Sequence, residues 1–533
     1  MYDSTGAGVD QRAGRREWVG LTVLALACLL YAMDMTVLHL AVPMISADLQ
    51  PSSVELLWII DIYGFMVAGC LITMGTLGDR IGRRRLLLLG AGAFGAVSLL
   101  AAFSTSPGML MVSRALLGIA GATLAPSTLS LIFNMFRDAR QRSIAIGIWI
   151  GAFSAGGAVG PVFGGILLES FWWGSVFLLA IPVMAVLLVL GPIVLPEYRD
   201  PNAGRLDLVS AGMSLIAVLS AIYGLKRVAQ DGFDGVAALS ILVGLTVAVA
   251  FARRQLTHPD PMIDLRLFRV SAFRSALAIN VLGLFVAFGY FLFVAQYLQL
   301  VLGLSPLQAG VWSMPAGLGF IVGSQLGPRI VQVFRPATVI AGGLALAAVG
   351  LGLLTQVSAS SGLALVVVSS LIISIGLAPV FGLTTELIVG SAPPERAGAA
   401  SGISETGAEF GGALGISILG SLGVAIYRGD LGRTLDSVLL ADQMATAQDT
   451  LGGAAIASGA LPTELAATVM AAAHEAFVHG MHVTSALAGV SAVVLAGIAV
   501  ATLRHLRPVS EHLDADDTTG QESVAATPVQ VNA

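Results

Sequence analysis

Gly75-Thr76-Leu77-Gly78-Asp79-Arg80-Ile81-Gly82-Arg83-Arg84 lies between two long apolar runs, near 54–77 and 86–105. The stretch holds three glycines, one acid and three arginines in a junction too short to fold alone. Glycine permits a tight reversal of the chain. Asp79 can meet a neighbouring helix N-terminus or an arginine. Such a contact can be made in one conformational state and broken in another. Gly75, Asp79, Arg80, Gly82, Arg83 and Arg84 are therefore candidates for a conformational latch.

The runs on either side set the fold class. A helix needs about 20 mostly apolar residues to cross a bilayer. Runs of that kind recur about fourteen times, near 18–43, 54–77, 86–105, 109–133, 143–168, 174–195, 208–226, 234–252, 271–302, 307–331, 337–356, 361–390, 398–426 and 482–504. They are too long for barrel strands and do not alternate with period two. Composition agrees: 56% of the 533 residues are hydrophobic and 11% charged, against about 25% charged in soluble proteins. The mean hydropathy is +0.88. The expectation is an all-α integral membrane protein. The first run is longer than a signal sequence and is read as a retained span.

Lys and Arg favour cytoplasmic loops. With the N-terminus inside, 22 of them fall on the cytoplasmic side and four outside (Lys226, Arg227, Arg428, Arg433), and Arg114 sits within a span; together these are all 27. Both termini are expected in the cytoplasm and the protein in the inner (plasma) membrane. Residues 428–481 read as an outward loop, with helical composition near 436–451 and 463–478 that suggests a short hairpin. Residues 1–17 and the acidic 506–533 read as cytoplasmic tails.

The composition excludes several function classes. A net charge of −5, dispersed along the chain, gives no footprint for nucleic acid. Cys28 and Cys70 lie inside apolar runs and form neither a disulfide framework nor a metal spacing. No phosphate-cradling loop, dinucleotide fingerprint or catalytic triad spacing is found. No metal or cofactor is expected, and an enzyme is not.

Charges inside spans are costly and usually functional. Asp34 lies in the first span, Asp61 in the second, Arg114 in the fourth, and Glu405 with Glu409 in the thirteenth. By helical rise, Asp34, Asp61 and Arg114 share the outer half of the N-terminal spans. An arginine beside an aspartate offsets the burial cost of both. A carboxylate lacking that partner is relieved by taking up a proton or a cation. The alternative is a static ion pair that only fixes packing. Glu405 and Glu409, four apart, share a helix face, and Glu409 falls near the midplane. Tyr63, Tyr290, Phe293 and Tyr297 are candidate cation–π partners, with core or lipid-facing packing the alternative. Glu386, Glu55 and Glu169 read as rim residues.

The Gly75–Arg84 string resembles the signature loop of the major facilitator superfamily, and Arg114 through Gly121 resembles its fourth-helix motif. Gly156-Gly-Ala-Val-Gly160-Pro161-Val-Phe-Gly164-Gly165 is similar to the fifth-helix motif of the superfamily's exporters. Small residues at this spacing let helices approach closely. Met33-Asp34 through Pro43, Trp58 through Tyr63, and Pro393 through Gly415 resemble the 14-helix drug:proton antiporters, in particular multidrug pumps for quaternary ammonium compounds.

That resemblance covers about residues 18–505. It implies a six-helix bundle at 18–196, two inserted linker helices at 197–254 and a second six-helix bundle at 255–505. It implies alternating access about a midplane site, monomeric and driven by the proton gradient without a cofactor. The implied cargo is a lipophilic organic cation: a quaternary ammonium compound, a dye or a fluoroquinolone. Asp34 and Asp61 become proton or cation sites, Arg114 a modulator of Asp34, and Glu405 and Glu409 cation sites. Gly156, Gly160, Pro161, Gly164 and Gly165 become the antiport motif. Other readings remain: a dedicated exporter of one antibiotic or metabolite, a proton-coupled importer, or a lipid-handling protein.

Overall fold

In lipid every backbone N–H and C=O must find its partner within the chain, which favours continuous helices. The structure, a computed structural model, describes residues 12–51, 53–199, 207–258, 261, 263, 265–359, 362–393, 396–435, 439–459 and 461–506. α1 (Arg15–Leu49), α2 (Ser53–Ile81), α3 (Arg83–Ala102), α4 (Pro107–Gly121) with α5 (Leu124–Met135), α6 (Ala139–Ser170), and α7 (Ser175–Leu178) with α8 (Ala180–Val194) make six crossings. α9 (Leu208–Asp231) and α10 (Gly235–Thr257) make two more. α11 (Ser271–Gln296), prolonged by a π-turn at Tyr297–Val301, begins the second set of six. α12 (Pro306–Ile330), α13 (Pro336–Leu354), α14 (Leu363–Gly390), α15 (Ala397–Leu435) and, after the short α16 (Ala441–Asp449) and α17 (Leu451–Ser458), α18 (Thr463–Leu503) complete it. Among the described residues, thirteen segments are long and apolar enough to span a bilayer. α12 is long enough, but Gln308, Ser313, Ser324, Gln325 and several glycines dilute its hydropathy.

Each set of six encloses its own core. One is built from Leu21 to Leu195, joined at its rim by Val389 and Ala397 of the second set, the other from Ile279 to Leu503. The apolar side chains of α10 that face neither core, such as Leu239, Leu242 and Leu245, are exposed, as a lipid-facing surface requires. α9 instead wedges against α2 and α15. There Phe65, Ala68, Ile222 and Ala413 form a small buried cluster. Trp58 stacks on Tyr223 with ring centroids 6.2 Å apart, and the Ser417 hydroxyl donates to the Leu225 carbonyl at 2.5 Å. Asp207 caps α9 by accepting from the Val209 and Ser210 N–H groups, and ties it to Arg254 of α10 at 2.9 Å.

The segment 428–481 differs from its reading as a loop with a separate hairpin. α15 runs on to Leu435, and 463–478 is continuous with the last crossing. Nothing between Thr463 and His479 interrupts a helix, since no Gly or Pro occurs before Gly480. At 41 residues α18 is about 60 Å long, roughly twice the hydrocarbon thickness. Its projecting part is tied to α15 by His479 Nδ1 against Asp430 Oδ2 at 2.5 Å. Tyr427 clamps the short helices by donating to the Ala447 carbonyl at 2.9 Å.

Candidate functional site

Gly82 breaks the chain between α2 and α3 at φ 108°, a conformation that L side chains rarely adopt. The reversal brings Arg83 back over Asp79: Nε donates to Oδ1 at 2.8 Å and Nη2 lies 2.7 Å from it. Arg83 is buried, its Nη1 donating to the Ser130 carbonyl at 3.3 Å and its guanidinium lying over the Tyr198 ring. The same Asp79 carboxylate reaches into the other half of the protein. It accepts the backbone N–H of Gly398 at 3.2 Å and of Ala399 at 3.0 Å. Those are orphan donors in the first turn of α15, so Asp79 caps that helix from outside it. Gly75 permits the approach, since a Cβ there would lie 2.4 Å from the Gly398 carbonyl oxygen. Arg84 turns the other way, donating to the Pro192 and Leu195 carbonyls and pairing with Glu197 at 3.5 Å. Arg80 is partly buried in the last turn of α2.

Deeper in the N-terminal half, Arg114 Nη1 of α4 donates to Asp34 Oδ2 of α1 at 2.7 Å. Arg114 Nε donates to the Ile59 carbonyl at 3.3 Å, and its guanidinium lies 4.5 Å from the Tyr63 ring centre. An arginine can serve all three at once through its planar fork and face; a lysine cannot. Arg114 is almost wholly buried, while the Asp34 side chain keeps 12% exposure. Asp61 lies in α2, its side chain outside the described residues.

An aromatic path runs from this pair to the other half. Tyr63 packs on Tyr31, Tyr31 on Phe153, and Phe153 on Trp149, at centroid separations of 6.2, 5.6 and 4.7 Å. Glu409 lies within electrostatic reach of both Tyr31 and Tyr63, and Glu405 of Tyr31 and Cys28. The two glutamates of α15 also interact with each other. The path ends at a cavity of about 170 Å³ between the halves. Its walls include Trp149, Phe153, Phe320 and Phe381, with Glu405, Asn280, Thr385 and Ser404 supplying polar atoms. Trp149 is held in place by its indole N–H, which donates to Thr128 at 3.0 Å. Four aromatic rings about one carboxylate suit a positively charged apolar guest. Among the described residues no group of three or more His, Cys, Asp or Glu could hold a metal ion.

A family model described as Major Facilitator Superfamily matches residues 24–416. The chain belongs to the major facilitator superfamily. It is 41% identical over 495 residues to the multidrug efflux pump LfrA of Mycolicibacterium smegmatis, covering 93% of this chain and 97% of that one. It is 35% identical over 484 residues to the methyl viologen resistance protein SmvA of Salmonella typhimurium, covering 90% and 97%. It is 32% identical over 496 residues to a tetracenomycin C resistance and export protein of Streptomyces glaucescens, covering 91% and 92%. The human organic anion transporter MFSD10 shares the fold at a TM-score of 0.62 and 16% identity, over 91% of this chain and 99% of that one. This major facilitator protein is thus a multi-pass membrane transporter.

The glycine stripe of α6 sits where helices crowd. On α6 a Cβ at Gly156 would lie 2.2 Å from the Leu29 carbonyl oxygen, and one at Gly164 would lie 2.7 Å from Val37, so α1 and α6 touch along that stripe. Gly160 is buried on it. Gly165 faces open space, and the side chain of Pro161 is outside the described residues. Of the four aromatics singled out, Tyr63 alone meets a cation among the described residues. Tyr290, Phe293 and Tyr297 are buried in the second core, where Phe293 packs on Phe477 and Tyr297 donates to the Ser358 carbonyl.

Glu386, read as a rim residue, is a second bridge between the halves. Its carboxylate accepts from the Ser143 hydroxyl of α6 at 2.8 and 2.6 Å, with Arg142 3.9 Å away. The two residues are 243 apart in sequence, and no local pattern signals their meeting. Both bridges lie at the end that carries the arginine-rich loops.

Proposed function

We propose that this protein is a proton-coupled efflux antiporter for lipophilic organic cations, among them quaternary ammonium compounds and cationic dyes. The observation that carries this reading is the cavity between the halves, where Glu405 stands among four aromatic rings, with Glu409 one turn further along the same face of α15. The names of its relatives, a multidrug pump and a methyl viologen resistance protein, support export of cations.

In this reading the cargo enters from the cytoplasm or inner leaflet and meets the α15 carboxylates. Protons and cargo compete for them, and each lowers the other's affinity by the same factor. Asp34 keeps a partial opening to water and is the proton site in the N-terminal half, with Arg114 setting its affinity. Asp61 of α2 is a second candidate. Asp79 with Gly398 and Ala399, and Glu386 with Ser143, close the cytoplasmic end. Opening that end requires both contacts to break. Termini and arginine-rich loops face the cytoplasm, and a single chain is the unit of transport, with no cofactor.

Ethidium movement into everted vesicles, with and without an imposed proton gradient, tests the reading. Gradient-driven uptake supports it. Uptake indifferent to the gradient removes proton coupling, and no uptake of any lipophilic cation removes the substrate class. A dedicated exporter of one antibiotic is the second reading, favoured by the tetracenomycin C relative; a panel of structurally unrelated cations separates the two.

A further inference from the structure

We infer that Asn280 is a recognition residue of the central cavity, and that the cavity prefers cations carrying an N–H donor over permanently alkylated ammonium ions. The inference rests on the cavity being the cation site and narrows its substrate class.

Asn280 of α11 lines the cavity with Glu405 and is only 3% exposed. Its amide is oriented by a neighbour. Thr384 of α14 commits its single hydroxyl proton to backbone carbonyls, at 2.8 Å to Val380 and 3.2 Å to Phe381. Its oxygen can therefore only accept from Asn280, and Asn280 Nδ2 donates to it at 3.0 Å. That settles which end of the amide is which. The NH2 end is consumed within the protein, and Oδ1 is the free end, without a partner among the described residues. A buried carbonyl oxygen left unsatisfied is costly, and a native protein rarely keeps one without a use for it.

The other groups around the cavity have the same bias. Glu405 accepts, and the faces of Trp149, Phe153, Phe320 and Phe381 attract positive charge. Thr385 and Ser404 can donate or accept. A quaternary ammonium ion satisfies the carboxylate and the rings but leaves Asn280 Oδ1 as it was. A protonated amine, or an iminium or amidinium N–H, supplies positive charge and also the missing donor. A site built around a buried acceptor rejects analogues that cannot donate, because its polar atom is then left unpaired.

The test compares two dyes of equal charge and nearly equal shape. Acridine orange carries one N–H, on its protonated ring nitrogen; 10-methyl acridine orange carries none. Binding of each to the full-length protein in nanodiscs is measured by fluorescence at neutral pH, without a gradient. The wild type should bind the N–H dye at least ~10-fold more tightly, a modest share of the discrimination that buried polar sites reach. Asn280→Leu should bring the ratio near one by weakening binding of the N–H dye. Asn280→Asp, which keeps an acceptor oxygen, should retain the preference.

Equal binding of the two dyes to the wild type overturns the inference whether or not the variants fold. So does a preference that survives in a folded Asn280→Leu protein. If neither dye binds the wild type, the cation reading of the cavity fails and takes this inference with it.

Discussion

Asp79 Oδ2 accepts the backbone N–H of Ala399 at 3.0 Å, across 320 residues of sequence and from one half of the transporter to the other. The same carboxylate holds Arg83 within its own half. One side chain thus joins the internal order of the first bundle to the seam with the second. Its loss should be felt in conformation before it is felt in folding.

Asp79→Asn keeps an oxygen near α15 but removes the charge that serves both Arg83 and the helix N-terminus. Hydrogen bonds to charged groups contribute about 1.5–3 kcal/mol, so the open form of this end should gain roughly tenfold or more in population. The measurement is labelling of a cysteine placed at Ser401, which is wholly buried behind the contact, with an impermeant maleimide applied from that end. A labelling rate equal to that in the unsubstituted background would remove Asp79 from the latch.

Asp34→Asn should abolish gradient-driven dye efflux while the protein is still made and inserted. Arg114→Ala should be harsher, because it strands a buried acid; breaking a buried pair costs about 3–5 kcal/mol. Arg114→Lys should not restore the wild type, since Ile59, Asp34 and Tyr63 are served together by one guanidinium. Efflux rates normalised to membrane content decide this, and normal transport by Asp34→Asn excludes that residue from coupling.

The glycines of α6 offer an internally controlled comparison. Gly156→Ala places a methyl group against the Leu29 carbonyl oxygen, whereas Gly165→Ala meets nothing within 4 Å. Overpacking of this kind costs about 1–3 kcal/mol. The melting temperature of the purified protein should fall for the first variant and stay unchanged for the second.

Asp207 gives a pH dependence outside the membrane. Burial raises its pKa, but hydrogen bonds from the Ser210 side chain and N–H, and the Arg254 guanidinium, outweigh that and hold it down to about 2. A carboxylate depressed in the folded state contributes stability above its unfolded pKa of about 3.9, and that contribution is lost as pH falls through the folded value. Asp207→Asn keeps the helix cap but not the ion pair with Arg254. Its thermal stability should therefore decline less than the wild type's between about pH 4 and pH 2.

The architecture was readable from one-dimensional pattern because lipid imposes it. A run such as 86–105 has few alternatives to a spanning helix, and α3 at Arg83–Ala102 differs from it by a few residues. The layer shared by Asp34 and Arg114 was also readable, since depth follows from helical rise, and the two side chains meet there. What lay beyond reach depends on which faces meet. Around Glu405, which its charge inside a span marks out, the cavity draws Trp149, Asn280, Phe320 and Phe381 from four other helices, each in a stretch no more unusual than its neighbours. Tyr290 and Phe293 differ from Phe320 only in the direction they face, and no hydropathy profile records that. The continuity of α18 across 463–478 was missed for a related reason: helical composition says that a segment coils, not where its neighbour takes over.

The wedge made by α9 has a further mechanical meaning. Tyr223 leans on α2 and Leu225 is gripped by α15, so this helix is strapped across the joint at the end opposite the Asp79 clasp. When that mouth parts, the strap must peel from one jaw or travel with it. On the alternating-access reading proposed above, α9 is then the element that limits how far this mouth parts.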